Sequence, residues 1–427
     1  MRDAATLNVA MLSPVAPAHG RGGVQDIVWS LARGLVERGH RVTLVTSEHP
    51  DGVGLENVDG VDVRYLPVEA RTMALKGAGG AWMRLSRACV HELHRALPLD
   101  VIHSQSFCAL HLVNELRGVP VVVSLHGTHV DELRTRAGLV RESLARTPRE
   151  APRYAALWLL MLARFLREGP RVRRAAGVIA TSREQRAVLM RHYRVREERL
   201  HDVWNGIDTR VFAPAAADPV LRRELAGEAG VPLVLAVARL FQEKGIQHLL
   251  RAWPRVLDRL PDARLAIVGD GGYRATLEAQ AASLGLARVR FIGTVPLEAL
   301  PAMYAACDLF VNPTVRINGY DLTILQAMAA ARAVVVSDIG SVPTAVADGI
   351  DGVLVPPTNS VALAAAIATL LQDPARRAAL GEAARRTVME RFSVEALIAG
   401  TLAVYRAARA AVASVPPPPA PLRAEQA

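Results

Sequence analysis

Residues Thr314–Pro357 read TVRINGYDLTILQAMAAARAVVVSDIGSVPTAVADGIDGVLVPP. The β-branched runs at Val334–Ser337 and Val353–Val355, with Leu309–Asn312 just before the stretch, read as short strands separated by helical sequence. The alternation continues outward. Upstream in the second half lie Val234–Ala238, Arg264–Val268 and Val289–Ile292. The first half carries Leu7–Leu12, Val42–Thr46, Val61–Leu66, Val101–His103, Val121–Leu125, Val178–Thr181 and His201–Trp204. Short, continuously apolar strands with helices between them indicate buried parallel sheets joined by right-handed crossovers. Two such series predict an α/β protein of two doubly wound, Rossmann-like domains facing a central cleft, with ligands at the carboxyl ends of the strands. The junction falls near Asn205–Pro214, which divides residues 1–208 from 209–392.

Composition fits this plan. The 427 residues suit two cores, and 51% of them are hydrophobic. No apolar run reaches the roughly 18–20 residues of a membrane-spanning helix. The N-terminal apolar segment is short and broken, and reads as a first strand and not as a signal peptide. Three widely spaced cysteines, Cys89, Cys108 and Cys307, show no metal-ligand pattern and read as reduced, buried thiols of a cytoplasmic protein. The net charge of +10 is carried almost wholly by arginine. Aromatics at 4% and the lack of a recognition motif argue against nucleic acid.

From Arg134 to Arg174 there are eleven arginines around an apolar block, YAALWLLMLARFL, at Tyr154–Leu166. Two readings stand. The segment is a helix lying at a membrane surface, which would make the protein peripheral at the inner face, or it is a basic-edged helix packed within residues 1–208. Helices are also expected at Pro374–Arg391 and Val394–Val412. Residues 413–427 are proline-rich and read as a disordered tail.

Several short motifs carry chemistry. His19–Asp26, HGRGGVQD, is a glycine-rich loop opening a helix; Gly22 and Gly23 let the backbone approach a ligand and the helix N-terminus offers N–H groups to an anion. Its spacing is not the dinucleotide fingerprint. Ser124–Asp131, SLHGTHVD, places His126 at the end of a buried strand at the cleft edge. A His126/His129/Asp131 metal site lacks a further ligand and is not favoured. His91 and His94 are three residues apart, not the zinc-protease spacing, and read as helix surface. Val237–Gly245, VARLFQEKG, sets Arg239 and Lys244 just after a strand, where a planar fork and a point charge can meet phosphate oxygens. Gly269–Gly272, GDGG, follows another strand.

Taken together, these motifs resemble the retaining, nucleotide-sugar-dependent glycosyltransferases of family 4, which have the GT-B fold. The likeness runs from about Leu7 to Arg409. It implies a donor site built from Gly22, Gly23, Arg239, Lys244, Gly269, Asn318, Gly319, Tyr320, Asp321, Leu322 and Gln326. His126 is implied to lie beside the reacting sugar, Arg239 and Lys244 to neutralise the leaving diphosphate, and residues 393–412 to form a helix returning to the acceptor-side domain. No metal or cofactor is implied. The acceptor would be a carbohydrate, a lipid-linked molecule or a small molecule.

The sequence departs from the family pattern at the donor motif. Asn318 and Gln326 stand where the family has two glutamates, Asp321 where it has glycine, Thr344 where it has an acid after Pro343, Ala331 and Ala333 where it has Gly and Pro, and Ala238 where it has glycine. Amides accept on one atom and donate on the other, so they replace a carboxylate only in part. Two expectations follow: a glycosyltransferase with an altered donor pocket, or a GT-B scaffold that supports a partner glycosyltransferase.

Overall fold

The computed structural model describes residues 6–20, 22–69, 80–134, 137, 151–228, 230–317 and 319–414. Strands β1 (Asn8–Leu12), β2 (Arg41–Thr46), β3 (Leu55–Val58), β4 (Val61–Tyr65), β5 (Val101–Gln105), β6 (Val121–Leu125), β7 (Gly177–Ala180) and β8 (Leu200–Asp202) form an eight-stranded sheet ordered β3-β4-β2-β1-β5-β6-β7-β8. Strands β9 (Leu233–Val237), β10 (Arg264–Val268), β11 (Val289–Gly293), β12 (Leu309–Asn312), β13 (Val334–Ser337) and β14 (Val353–Val355) form a second, six-stranded sheet ordered β11-β10-β9-β12-β13-β14. Every pairing is parallel except β3 with β4. Strand order reverses at β1/β5 in the first sheet and at β9/β12 in the second, and those two switch points carry most of the predicted site residues.

The helices are α1 (Gly23–Val36), α2 (Gly80–Ala96), α3 (Ala151–Arg174), α4 (Arg183–Arg191), α5 (Pro219–Ala226), α6 (Ile246–Leu257), α7 (Arg274–Ser283), α8 (Leu300–Ala306), α9 (Leu322–Ala329), α10 (Val342–Ala345), α11 (Ser360–Gln372), α12 (Pro374–Arg391) and α13 (Val394–Ala413). Each sheet is covered on both faces, which is why its strands read as unbroken apolar runs. The periodic residues of α1, Ile27, Val28, Leu31 and Leu35, are buried against the first sheet. Strand β3, LENV, was not expected. It is an antiparallel edge with only partial burial, so it lacks the apolar signature that marks the others.

Two chain segments cross between the halves side by side. Ile207 N–H donates to Phe392 O at 2.9 Å and Val394 N–H donates to Ile207 O at 3.0 Å. Gly206 allows this approach, since a β-carbon there would lie 2.4 Å from Ser393 O. After the crossing, α13 lays Leu397, Ile398, Leu402, Tyr405 and Ala408 onto the first sheet and α1. Among the described residues α13 is the one helix long and apolar enough to cross a membrane, yet its apolar face is spent on this packing.

Helix α3 spans the expected apolar block. Met161, Glu168 and Val172 face inward, whereas Leu159 and Leu166 are 60% and 64% exposed. The arginine-rich residues 135–136 and 138–150 lie outside those described, as does the tail from 415. Cys89, Cys108 and Cys307 are free and buried, and burial pushes the Cys108 and Cys307 thiols up to about 12.

Tyr405 OH and His103 Nδ1 are 2.7 Å apart inside this packed layer, 302 residues apart in sequence. Tyr405→Phe strands one side of a fully buried polar pair. It is expected to lower unfolding free energy by about 1–3 kcal/mol, measurable as a drop in the urea midpoint without a change in slope.

Candidate active site

On the second sheet, the chain leaves β9 through Ala238 and Arg239 and turns at Gln242–Lys244 before α6 begins. The turn sits against the end of β12, where Thr314 Oγ1 donates to Glu243 O at 3.2 Å. Gly269, at the end of β10, has φ +125°, and a β-carbon there would lie 1.9 Å from Ala238 O; the GDGG loop can only close onto the Arg239 loop with glycine at that position. Leu240 N–H then donates to Asp270 O at 2.8 Å, locking the two loops together.

Arg239 is exposed and its guanidinium lies 5.3 Å from the centre of the Phe241 ring, so it is held at the cleft rim by a cation–π contact. Lys244 behaves differently. It is 5% exposed, and its ammonium donates to Asp321 Oδ1 in a tight ion pair. Asn312 Nδ2, at the end of β12, donates to the other oxygen, Oδ2, at 3.0 Å. Burial alone would raise the Asp321 carboxyl. The charge and hydrogen bond of Lys244, the bond from Asn312 and the charge of Arg316 outweigh it and hold the group below its ordinary value. Asp321 is also the N-cap residue of α9, but its carboxylate makes no capping bond; it is turned to Lys244 instead.

Helix α9 carries the rest of the motif. Gln326 is buried, and its Oε1 accepts from Tyr304 OH at 2.9 Å. One lone pair of the amide oxygen is therefore taken by the protein. Tyr320 is buried, and its OH accepts from Asn205 N–H at 3.2 Å in the interhalf crossing. Leu322 packs on both halves. A β-carbon on Gly23 would lie 3.7 Å from Leu322 Cδ1, which places the glycine-rich start of α1 directly against the donor motif. Gly319, with φ +66°, lines a cavity of about 340 Å³ between the halves, together with Ser341, Glu184, Arg134, Arg191 and His192. Asn318 lies outside the described residues.

On the first sheet, His126 follows β6. Its Nε2 lies 2.8 Å from Gln105 Oε1, at the end of β5. An amide oxygen only accepts, so Nε2 carries the proton and Nδ1 is a lone pair; that Nδ1 is buried without a partner among the described residues. Burial pushes the His126 imidazole down to about 4, so it is neutral at physiological pH. Behind it, Gln105 Nε2 approaches His103 Nδ1 at 3.5 Å, and His103 Nε2 lies 2.8 Å from Ser124 Oγ. The other residues of the SLHGTHVD motif are engaged separately. His129 Nε2 meets Glu168 of α3 at 2.7 Å, and Thr128 Oγ1 donates to Asp131 Oδ2 at 2.6 Å, so the three side chains considered for a metal are not brought together. His91 and His94 lie on α2, where His91 meets Glu115 at 3.5 Å and His94 Nδ1 accepts from Leu99 N–H at 3.1 Å.

A polar clasp closes the cleft at one side. Ser341 Oγ donates to Ser182 Oγ at 2.8 Å, Arg183 N–H donates to Thr344 Oγ1 at 3.1 Å, and Thr344 Oγ1 donates to Glu184 Oε2 at 2.9 Å. Thr344, where the family has an acid, thus bridges to an acid on the opposite half. Sequence reading missed Asn312, Arg316, Gln105 and Glu184. Asn312 had a visible signal, a polar residue ending an apolar strand; the others act through partners distant in sequence.

Burial lowers several imidazoles from an ordinary 6.5, most strongly His103, to about 3, and His111 and His126, to about 4. Below 6.5 the unfolded chain takes up protons that the folded chain refuses, so their contribution is full above that pH and is lost on acidification toward 4. Guanidinium midpoints measured from pH 7 to pH 4.5 are expected to fall steadily. Replacing His103 with glutamine should flatten the slope.

The family model for glycosyltransferase family 4 matches residues 21–211, and that for glycosyl transferases group 1 matches residues 219–387. The chain is 31% identical over 407 residues to alpha-maltose-1-phosphate synthase of Mycolicibacterium smegmatis, covering 86% of this chain and 99% of that one. It is 37% identical over 194 residues to the GDP-mannose-dependent alpha-(1-6)-phosphatidylinositol monomannoside mannosyltransferase of the same organism, a match spanning 44% of this chain and about half (51%) of that protein. The fold superposes on sucrose-phosphate synthase from Thermosynechococcus elongatus with a TM-score of 0.76 at 23% identity, covering 95% of this chain and 100% of that one. With its two facing parallel sheets and a family match in each half, the chain belongs to the family 4 glycosyltransferases of the GT-B fold.

Proposed function

We propose that the protein transfers a sugar from a nucleoside diphosphate sugar to an acceptor hydroxyl with retention of anomeric configuration. The observation that supports this most is that the glycine-rich start of α1 lies against Leu322 of the donor motif, next to Asp321, where Lys244 is held. In this reading the bond from the sugar's anomeric carbon to the diphosphate breaks and a bond to the acceptor oxygen forms on the same face, with the acceptor proton passing to the departing phosphate. Positive charge beside that phosphate stabilises the charge it develops. The role falls to Arg239 with Arg316, and in part to Lys244, which is shared with the Asp321 carboxylate. Side-chain cations meet the leaving-group charge, so the reading calls for no metal or cofactor. His126, with its free Nδ1 lone pair, is assigned to orient a hydroxyl of the sugar or acceptor, and the cavity lined by Arg134, Arg191 and His192 is assigned to the acceptor.

The exposed Leu159, Leu160 and Leu166 of α3, close to the arginines at its C-terminal end, favour an acceptor presented at an anionic membrane surface. Co-sedimentation with vesicles containing anionic lipid is expected for the native chain. It should fall at least severalfold for Leu159→Ser with Leu166→Ser.

Calorimetric titration with a panel of nucleoside diphosphates and their sugar esters tests the donor reading. Saturable binding is expected, weakened at least tenfold by Arg239→Ala. Gln326→Glu keeps an oxygen for Tyr304 and offers a second, charged one to the ribose, so it is expected to tighten binding by about one to two decades. Absence of binding at millimolar ligand by the native chain and by Gln326→Glu alike would favour the alternative, a scaffold for a partner glycosyltransferase.

A further inference from the structure

We propose that Asp321 is an internal stand-in for the donor's diphosphate, and that it weakens the hold of the site on the nucleoside diphosphate product more than on the intact donor. The inference rests on the nucleotide-sugar reading of the cleft. Three observations support it. Lys244, a cation set by the loop after β9, is 5% exposed and already paired with the Asp321 carboxylate. The carboxylate is fixed from the other side by Asn312 Nδ2 at 3.0 Å, so it is anchored at the end of β12 and not a mobile surface acid. It also forgoes the capping bond that an aspartate at a helix start ordinarily makes, so its orientation toward Lys244 prevails over its local preference.

The consequence is electrostatic. A phosphate group that enters the cleft meets a lysine whose charge is already compensated, and a fixed negative charge beside it. In a sugar ester the diphosphate carries about two negative charges; after the glycosyl bond breaks, the terminal phosphate gains up to one more. A like charge held close in a shielded site disfavours the more anionic species most. Asp321 therefore acts on the step after transfer, loosening the product, and it selects donors whose affinity comes from base and sugar as much as from phosphate.

The test is the dissociation constants of UDP, GDP and ADP, and of their glucose esters, for the native chain, Asp321→Asn and Asp321→Gly. Asparagine keeps an oxygen for Asn312 and removes only the charge; glycine removes the group altogether. Both variants are expected to bind the free diphosphates about tenfold to a hundredfold more tightly, with a smaller gain for the sugar esters. Both are also expected to melt lower than the native chain without ligand, because Lys244 is left buried and unpaired, and to recover more on adding the diphosphate than the native chain does. If the native chain binds and the variants bind equally or more weakly, the proposal is overturned and the nucleotide reading stands. If the gain is the same for ester and free diphosphate, the selective effect on product is overturned. If no form binds any nucleotide, the donor reading fails and this proposal fails with it.

Discussion

The paired crossing of the chain at Ile207 and Phe392–Val394 sets the geometry on which everything else depends. Each sheet by itself would present the carboxyl ends of its strands to water. The crossing turns them toward each other, and α13 then ties the second crossing to the first sheet through Tyr405 and its apolar neighbours. Leu322, packed on both halves, and the Ser182–Ser341 and Glu184–Thr344 contacts complete the closure. The cleft is thus a product of backbone pairing at one point and small polar contacts at another. The Ser182–Ser341 contact joins neutral hydroxyls and is worth about 0.5–1.5 kcal/mol, whereas the Thr344 bond to the Glu184 carboxylate is worth about 1.5–3 kcal/mol.

Inside the closed cleft, charge is arranged in pairs. Burying two opposite charges costs desolvation that their attraction barely repays, whereas removing one partner costs about 3–5 kcal/mol. The Lys244–Asp321 pair is therefore poor evidence for added stability and good evidence for constraint: neither residue can leave without a replacement of like charge. A diphosphate is such a replacement for the carboxylate. Arg239 carries no comparable restriction, since its contact with Phe241 leaves its hydrogen-bonding edge available at the rim. The two cations that look equivalent in the sequence thus have different availabilities, one open and one conditional.

How much of this was legible follows from what kind of interaction each feature uses. Buried parallel strands announce themselves as continuous apolar runs, and most expected strands lie within a residue or so of those observed. The edge strand Leu55–Val58 buries too little apolar surface to leave such a trace. At the site, residues placed by local turns were readable: the glycine loop, the strand-end His126, and Arg239 with Lys244 after β9. Residues whose meaning depends on a distant partner were not. Asp321 was visible as a misplaced acid, but its partner lies 77 positions away, and the Gln105–His103–Tyr405 chain behind His126 spans most of the protein. Spacing on one segment carries no information about which side chains the crossovers bring together.

The departures at the donor motif look like losses when counted one at a time, and like a redistribution when placed in space. Acids of the family pattern are missing at 318, 326 and 344, and one is gained at 321. The amide at 326 accepts from Tyr304 on its oxygen, so it offers a ligand less acceptor capacity than a carboxylate would. Ribose hydroxyls both donate and accept, so they can answer either polarity; a diphosphate only accepts, and cannot. Under the nucleotide-sugar reading, the change would be tolerable at the ribose and consequential at the phosphates. Under the nucleotide-sugar reading proposed above, the grip of such a site on the leaving group would be set by how Asp321 and phosphate share one buried lysine.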